Sequence, residues 1–465
     1  MVLALLFWFA AAENELEQAI RAFTRAYAMV EANAADPVNP GPVIYEGALA
    51  GMLRKLDPHS VFFNPDQFQQ LKELERSTSK GFGTVVSVLP GRVIVLQTMP
   101  GTPSARAGIA PGDEILAVNG IRLDWLDMEQ LIGLLGETRR REARLDVRRQ
   151  GSMHLLQFTM KPEEMLSASV DRAFMLNETT GYVRITSFEG ETGKQLKEAI
   201  EKLGGASLKG LVLDLRNNPG GILPSALECS ALFFPEGTKL LSIRGRARQE
   251  EETLVPKGVE PYKSPLAVLI NEKSASAAEI LAGAVQDHGR GVVVGVTSFG
   301  KGLVQSIYPL SEGSGMALTT AFYFTPKGRS IQRRLSEGQL RGPQENSGAG
   351  GIQPDHVVGF DRQTRLRAAL DATGAFTSFA TETIRKGLRV AEEFTLENAT
   401  LDDFKIYLSE RGISPGVSEW SVDREWIRSR LQQEVFNQTL GVEKGDEVEA
   451  RRDPQVLRAA ELIAR

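Results

Sequence analysis

Two short, wholly apolar runs, Leu266–Ile270 and Val292–Val296, constrain the fold of this 465-residue chain more than any other feature. Both read as strands. The first leads into Asn-Glu-Lys-Ser-Ala-Ser-Ala-Ala-Glu-Ile (271–280), which reads as the opening of a helix. The second is followed by Thr-Ser-Phe-Gly-Lys-Gly (297–302). Upstream, Gly181–Phe188 and Leu211–Leu215 also read as strands, and the latter runs into a sharp turn, Arg216-Asn217-Asn218-Pro219-Gly220-Gly221, before a helical run. Strand and helix signals alternate to about Val358, which predicts an α/β core. A soft stretch, Glu345–Gly351, interrupts the end of this region.

The flanks are patterned differently. Glu13 to about Lys80 reads helical, with Leu16, Ile20, Phe23, Tyr27 and Val30 recurring at steps of three and four. A Pro-rich break, Asp36–Pro42, precedes a second helical run, Val43–Leu56. Leu-Asp-Pro-His-Ser (56–60) invites comparison with a catalytic triad, but sequence neighbours around a proline cannot converge as a triad does. It reads as a structural turn. From Gly81 short strands alternate with glycine turns, a helix at Met128–Leu135 and a strand at Ala143–Arg148. Beyond about Gly359 the chain is charged and helical in period, with no recognisable chemistry. At the other end, Val2–Ala12 is almost wholly apolar, too short to cross a bilayer and of the length of a signal-peptide core. It reads as a truncated or mis-started export signal, with a packed N-terminal helix as the alternative.

A net charge of −5 argues against a nucleic-acid partner, and the basic run Arg139–Arg141 is followed by Glu142 and Asp146. The single cysteine, Cys229, excludes an internal disulfide framework and lies in an apolar-rich run, as a buried thiol would. No His-Glu-x-x-His pattern occurs, and no metal or organic cofactor is implied. A serine hydroxyl is a poor nucleophile unless a base removes its proton, and a desolvated lysine can be that base. None of the four histidines stands in such a context, so Ser276 and Lys301 are the better pair. Each has a plainer reading alone. Ser276-x-x-Glu279 is a capping box, Lys301 a surface lysine, and Gly220-Gly221 a turn.

Residues 79–150 resemble a PDZ domain, with Pro-Gly-Asp-Glu-Ile-Leu-Ala-Val-Asn-Gly (111–120) the most specific piece. The resemblance makes Gly81, Phe82, Gly83, Thr84 and Val85 a backbone nest for a peptide's terminal carboxylate, beside a strand edge that accepts the peptide. Nearly the whole chain resembles the carboxy-terminal processing proteases, also called tail-specific proteases. The matching motifs occur in the family's order: 51–60, the PDZ segment, 181–185, 213–221, 274–280, 299–305, 323–331 and 351–355. The fold implied is a crotonase- and ClpP-like ββα protease core with an inserted PDZ domain and helical flanks. The expected division is a signal remnant (1–12), a helical region (13–78), the PDZ domain (79–150), a Ser-Lys core (151–358) and a C-terminal helical region (359–465).

By this resemblance the nucleophile is Ser276 rather than Ser274, the base is Lys301, and Gln305 completes the triad. Lys301 reads as ending the second apolar strand, and on a strand positions i and i+4 share a face, so Gln305 can orient the amine. Oxyanion donors should be the N–H of Ala277 and that of Gly220 or Gly221, at a helix N-terminus. The family usually has a second serine where this chain has Ala278. The activity implied is a serine endopeptidase that cleaves non-polar C-terminal tails of cell-envelope proteins. It would act in the periplasm or envelope, associated with the inner membrane through its N-terminus or free of it. A homodimer or larger assembly is expected, and an adaptor protein is conceivable. The alternatives are a catalytically silent ligand-binding relative and a PDZ scaffold.

Overall fold

The computed structural model describes residues 2–464 apart from 76–77, 90, 140, 150–151, 167, 247, 334–349 and 361–362. Most of the soft stretch Glu345–Gly351 therefore lies outside the described residues. The chain forms two compact units. One holds Met1–Gln69 with Gln305–Thr320, and the other holds the remaining described residues.

In the first unit a long helix, Val2–Asn33, carries Leu16, Ile20, Phe23 and Val30 exposed on its surface. Proline opens the next helical segment, whose first part, Pro42–Leu49, is π-wound before Ala50–Leu56 continues as α-helix. Asp57 then folds the chain back. Its Oδ1 accepts the N–H groups of His59 and Ser60, each at 2.8 Å, and its Oδ2 accepts the Ser60 hydroxyl at 2.6 Å. Asp57, His59 and Ser60 thus make the expected turn. The expectation of helix throughout 13–80 fails at Val61–Phe63, a strand paired antiparallel with Gly315–Ala317. It also fails at Thr78–Gly81, which in the second unit pairs with Glu163–Leu166. Pairing with distant strands overrides the local period in both places.

The second unit begins with an antiparallel sheet in the order Thr84–Leu89, Arg92–Thr98, Glu114–Val118, Ala143–Arg148, Leu156–Met160. Ala143–Arg148 alternates buried and exposed side chains, the period-two pattern of a half-covered sheet. Val93, Val95, Ile115, Val118, Leu145 and Val147 form its core with Leu131. Leu131 comes from the helix Met128–Thr138, which Asp127 and Gln130 cap reciprocally.

The α/β core is a six-stranded sheet, Val170–Met175, Thr180–Ile185, Gly210–Asp214, Leu266–Ile270, Val292–Gly295 and His356–Val357, parallel from the second strand onward. Every residue of Gly210–Asp214 and Leu266–Ile270 is buried, because both faces are covered. Val183, Leu211, Leu213, Val268 and Ile270 pack against the helices Thr192–Lys202, Leu223–Ala231 and Ala277–Asp287. Cys229 is fully buried in that layer, and burial pushes its thiol pKa up. The alternate residues Tyr182, Val212, Ala267, Leu269 and Val294 pack against Val456, Ala459 and Ile463 of the last helix, Pro454–Ile463. The C-terminal region thus supplies the sheet's second cover. Its other helices, among them Ala375–Arg385, Asn398–Ser409 and Val417–Thr439, share a core of Phe376, Phe379, Phe404, Trp420 and Leu431. Among the described residues, no helix is long and apolar enough to cross a membrane.

Candidate active site

The carboxyl ends of the parallel strands Gly210–Asp214 and Leu266–Ile270 deliver two turns to one place. After Ile270 the chain turns on Asn271 and Ser274. The Asn271 N–H donates to Ser274 Oγ at 2.9 Å, and Ser274 Oγ donates to the Leu215 carbonyl at 2.7 Å. Ser274 is fully buried and engaged in holding this turn. Ser276 differs. It stands half-buried at the head of Ala277–Asp287 with φ 55° and ψ −115°, a conformation that costs a non-glycine residue roughly 1–3 kcal/mol.

The capping box read from the sequence forms through its glutamate arm. Glu279 Oε2 accepts the Ser276 N–H at 2.8 Å, while the Glu279 N–H donates to the Ser276 carbonyl at 2.9 Å and no cap hydrogen bond runs to the Ser276 hydroxyl. Glu279 does more than cap. Its carboxylate also accepts the Ser298 hydroxyl (2.5 Å), the Gly300 N–H (2.7 Å) and the Lys301 N–H (2.9 Å). One buried carboxylate therefore grips the backbones of the serine and the lysine together. Burial pushes its pKa up, and the hydrogen bonds oppose that shift by favouring the charged form. Tyr323 adds a second link, its hydroxyl lying 2.9 Å from the Ser276 carbonyl and 2.5 Å from the Lys301 carbonyl.

Lys301 is half-buried in an irregular segment before the strand Leu303–Pro309. Gly300 and Gly302 bring this segment close to Ile331–Gln332. A Cβ on Gly302 would lie 2.9 Å from the Gln332 nitrogen, and Gly300 adopts φ 91°. Because Lys301 lies outside the strand that holds Gln305, the argument that the two share a strand face does not apply. Gln305 belongs to the first unit, where its side-chain Nε2 donates to the His59 carbonyl.

Gly220 presses on the turn that carries Ser276. At φ 98°, a Cβ there would lie 2.8 Å from both the Ala275 carbonyl and Ser276 Cβ, and 3.0 Å from the Ala277 nitrogen. The Gly220 N–H already donates to Asn218 Oδ1 at 2.8 Å. Gly221 follows with φ 147°, and a Cβ there would meet the Phe188 carbonyl at 2.0 Å. The Gly220 carbonyl and the Ile222 N–H pair with Phe188, so the Gly221 N–H faces the opposite way.

The residues expected to hold a peptide carboxylate form a separate feature. Gly83, at φ 73°, packs where a Cβ would strike the Thr102 side chain, and its carbonyl accepts the Met99 N–H at 2.8 Å. The Phe82 carbonyl accepts the Ser104 N–H at 2.9 Å, so both carbonyls turn away from the nest. Gly81 ends the preceding strand, and Thr84 and Val85 start the edge strand Thr84–Leu89, which among the described residues pairs on one side only, with Arg92–Thr98. Sequence reasoning missed Tyr323, Asn218 and Ser298 as supports, and it read Glu279 only as a cap.

Two regions of the chain match known families. Peptidase family S41 matches residues 179–358, and the PDZ domain matches residues 94–149. A carboxyl-terminal-processing protease of Synechocystis sp. is 31% identical over 318 residues, covering 67% of this chain and 70% of the relative. A carboxy-terminal-processing protease of Bartonella bacilliformis is 34% identical, covering 62% of this chain and 67% of the relative. A carboxyl-terminal-processing protease of Picosynechococcus sp. is 32% identical, covering 72% and 80%. The fold, the site and these similarities together place the chain in peptidase family S41, among the PDZ-containing carboxyl-terminal processing serine proteases.

Proposed function

We propose that this chain hydrolyses peptide bonds near the apolar C-termini of cell-envelope proteins, with Ser276 as nucleophile and Lys301 as general base. The observation that carries this reading is Ser276 itself, held in a strained conformation at a helix N-terminus and tied through Glu279 to the backbone of Lys301. The neutral Lys301 amine takes the Ser276 proton as Oγ attacks the scissile carbonyl. The oxyanion forms against the N–H groups of Ala277 and Gly221, since that of Gly220 is engaged with Asn218. Lys301 returns the proton to the leaving amine, and the acyl-enzyme results. Lys301 then draws a proton from water, which attacks the ester carbonyl, and passes that proton to Ser276 Oγ as the acyl C–O bond breaks. Gln305 is assigned as the residue that orients the base, on family resemblance alone.

The PDZ sheet supports the substrate class. The nest at Gly81–Val85 takes the terminal carboxylate, and the free edge of Thr84–Leu89 takes the tail as an added strand. Envelope localisation, by way of the apolar N-terminus, and delivery by an adaptor belong to this reading. Self-association through the exposed stripe Leu16, Ile20, Phe23 and Val30 belongs to it as well. A fluorophosphonate probe should label Ser276, and Ser276→Ala should neither be labelled nor cleave an unfolded substrate. Lys301→Arg should be equally inactive, because a guanidinium cannot deprotonate. Labelling of Ser274, or robust cleavage by Lys301→Arg, would overturn the assignment.

A further inference from the structure

The turn carrying Gly220 and Gly221 is anchored from the far end of the chain. Arg216, its first residue, is bound to Asp214 through Nε, at 3.0 Å from both carboxylate oxygens, and through Nη2 at 2.6 Å. Its remaining terminal nitrogen, Nη1, reaches Asp453 Oδ2 at 2.6 Å and Gln455 Oε1 at 2.8 Å. Asp453 works in two directions. Its Oδ1 caps the helix Pro454–Ile463 by accepting the N–H groups of Gln455 (2.8 Å) and Val456 (3.2 Å), while Oδ2 holds the arginine. Gln455 is fixed in turn by Nε2 donating to the Val358 carbonyl at 2.7 Å.

Arg216, Asp214, Asn217, Asn271 and Asp453 border a cavity of about 250 Å³. From Arg216 the linkage runs into the active site. Asn217 and Asn271 exchange two hydrogen bonds, the N–H of Asn217 to Asn271 Oδ1 at 2.9 Å and Asn271 Nδ2 to Asn217 Oδ1 at 3.0 Å. The Asn218 carbonyl accepts the Ala275 N–H at 2.9 Å, one residue before Ser276.

We propose that Asp453, assisted by Gln455, is a positioning residue for peptide hydrolysis: it holds Arg216, and through it the turn that packs Gly220 against Ser276 and carries the Gly221 N–H assigned to the oxyanion. This rests on the protease reading above. The C-terminal helical region then has a part in the chemistry as well as in covering the sheet. Losing the Asp453 contact leaves Arg216 tied to Asp214 and, by a neutral hydrogen bond, to Gln455, and lets the turn sample positions in which the oxyanion donor is misplaced. The cost falls on the transition state and spares substrate binding, because the tail is gripped elsewhere.

Asp453→Asn isolates this role. Asparagine is as good an N-cap as aspartate, so the helix keeps its cap while Arg216 loses a charged partner. For Asp453→Asn, kcat on an unfolded substrate should fall tenfold or more with KM within twofold of the wild type, and the melting midpoint should stay nearly unchanged. Fluorophosphonate labelling of Ser276 should slow in parallel. Hydrogen exchange at the amides of Asn217, Asn218, Gly220 and Gly221, followed by mass spectrometry, should quicken at least fivefold while Gly210–Asp214 and Leu266–Ile270 are unaffected. Gln455→Leu should show the same pattern more weakly. Unchanged kcat, unchanged exchange in the turn, or a loss of kcat that merely tracks a lower melting midpoint would each overturn the proposal. A wild-type chain that neither cleaves nor labels at Ser276 would instead overturn the protease reading, and the exchange measurement, which needs no turnover, tells the two failures apart.

Discussion

Glu279 accepts four hydrogen bonds on one buried carboxylate, and three of the donors are backbone N–H groups of Ser276, Gly300 and Lys301. An amide in its place can accept on one side only, and its NH2 would face two donors. Each donor left unpaired costs about 1–3 kcal/mol. Glu279→Gln should therefore destabilise the fold by a few kcal/mol and lower kcat by about a hundredfold, as the serine and lysine segments lose their common partner. Thermal melts and steady-state cleavage measure the two effects, and a Glu279→Gln enzyme with wild-type kcat would refute the linking role. Half of this was legible in the sequence, because Ser-x-x-Glu before an apolar helix marks a cap. The grip on Lys301, 22 residues away, was not legible. It depends on adjacent parallel strands bringing two loops together, which no local pattern encodes.

Among the elements, the turn 217–221 depends on backbone conformation as well as on its side-chain anchors. Gly220→Ala would place a methyl group 2.8 Å from the Ala275 carbonyl at a φ of 98°. We expect at least a hundredfold loss of turnover. Gly237→Ala is the control. Gly237 has φ 76° with open space around it, so its substitution should cost only about 1–2 kcal/mol of backbone strain and leave kcat intact. Equal activity in the two variants would remove the turn from the mechanism. The edge strand Thr84–Leu89 gives a second prediction, made on the substrate. If the nest at Gly81–Val85 binds a terminal carboxylate, as proposed, amidating the substrate's C-terminus removes that charge, and cleavage should slow about tenfold for a contact worth roughly 1.4 kcal/mol. Equal rates for acid and amide would mean that the PDZ sheet acts in another way. The strands themselves were readable from their apolar runs, and Leu266–Ile270 matches residue for residue. Lys301 was misplaced onto a strand because the glycines on either side, which take the chain past Ile331–Arg333, read only as flexible punctuation.

For the whole molecule, the last helix determines which truncations are informative. Removing Pro454–Ile463 would expose Val212, Ala267, Leu269 and Val294, so such a chain should aggregate or fail to fold. Ile463→Ala alone should cost on the order of 2–4 kcal/mol, measured by denaturant unfolding. Deleting the C-terminal region is therefore a poor test of assembly. Charged substitutions at Leu16 and Ile20 test it without touching the core, and light scattering should then report a smaller mass. An unchanged mass would exclude that stripe from the contact. By itself the sequence determined the α/β class, the PDZ segment and the serine and lysine proposed for the chemistry, because periodicity, glycine turns and ordered motifs are local or nearly so. Only the tertiary structure decided that the final helix covers the sheet's second face and that Asp453 reaches Arg216, 237 residues earlier. It also decided that Glu279 joins two loops and that the Gly220 N–H is already engaged. The physical reason is the same throughout: those contacts arise where strands from distant parts of the chain lie side by side, and neither residue of such a pair marks its partner in the sequence.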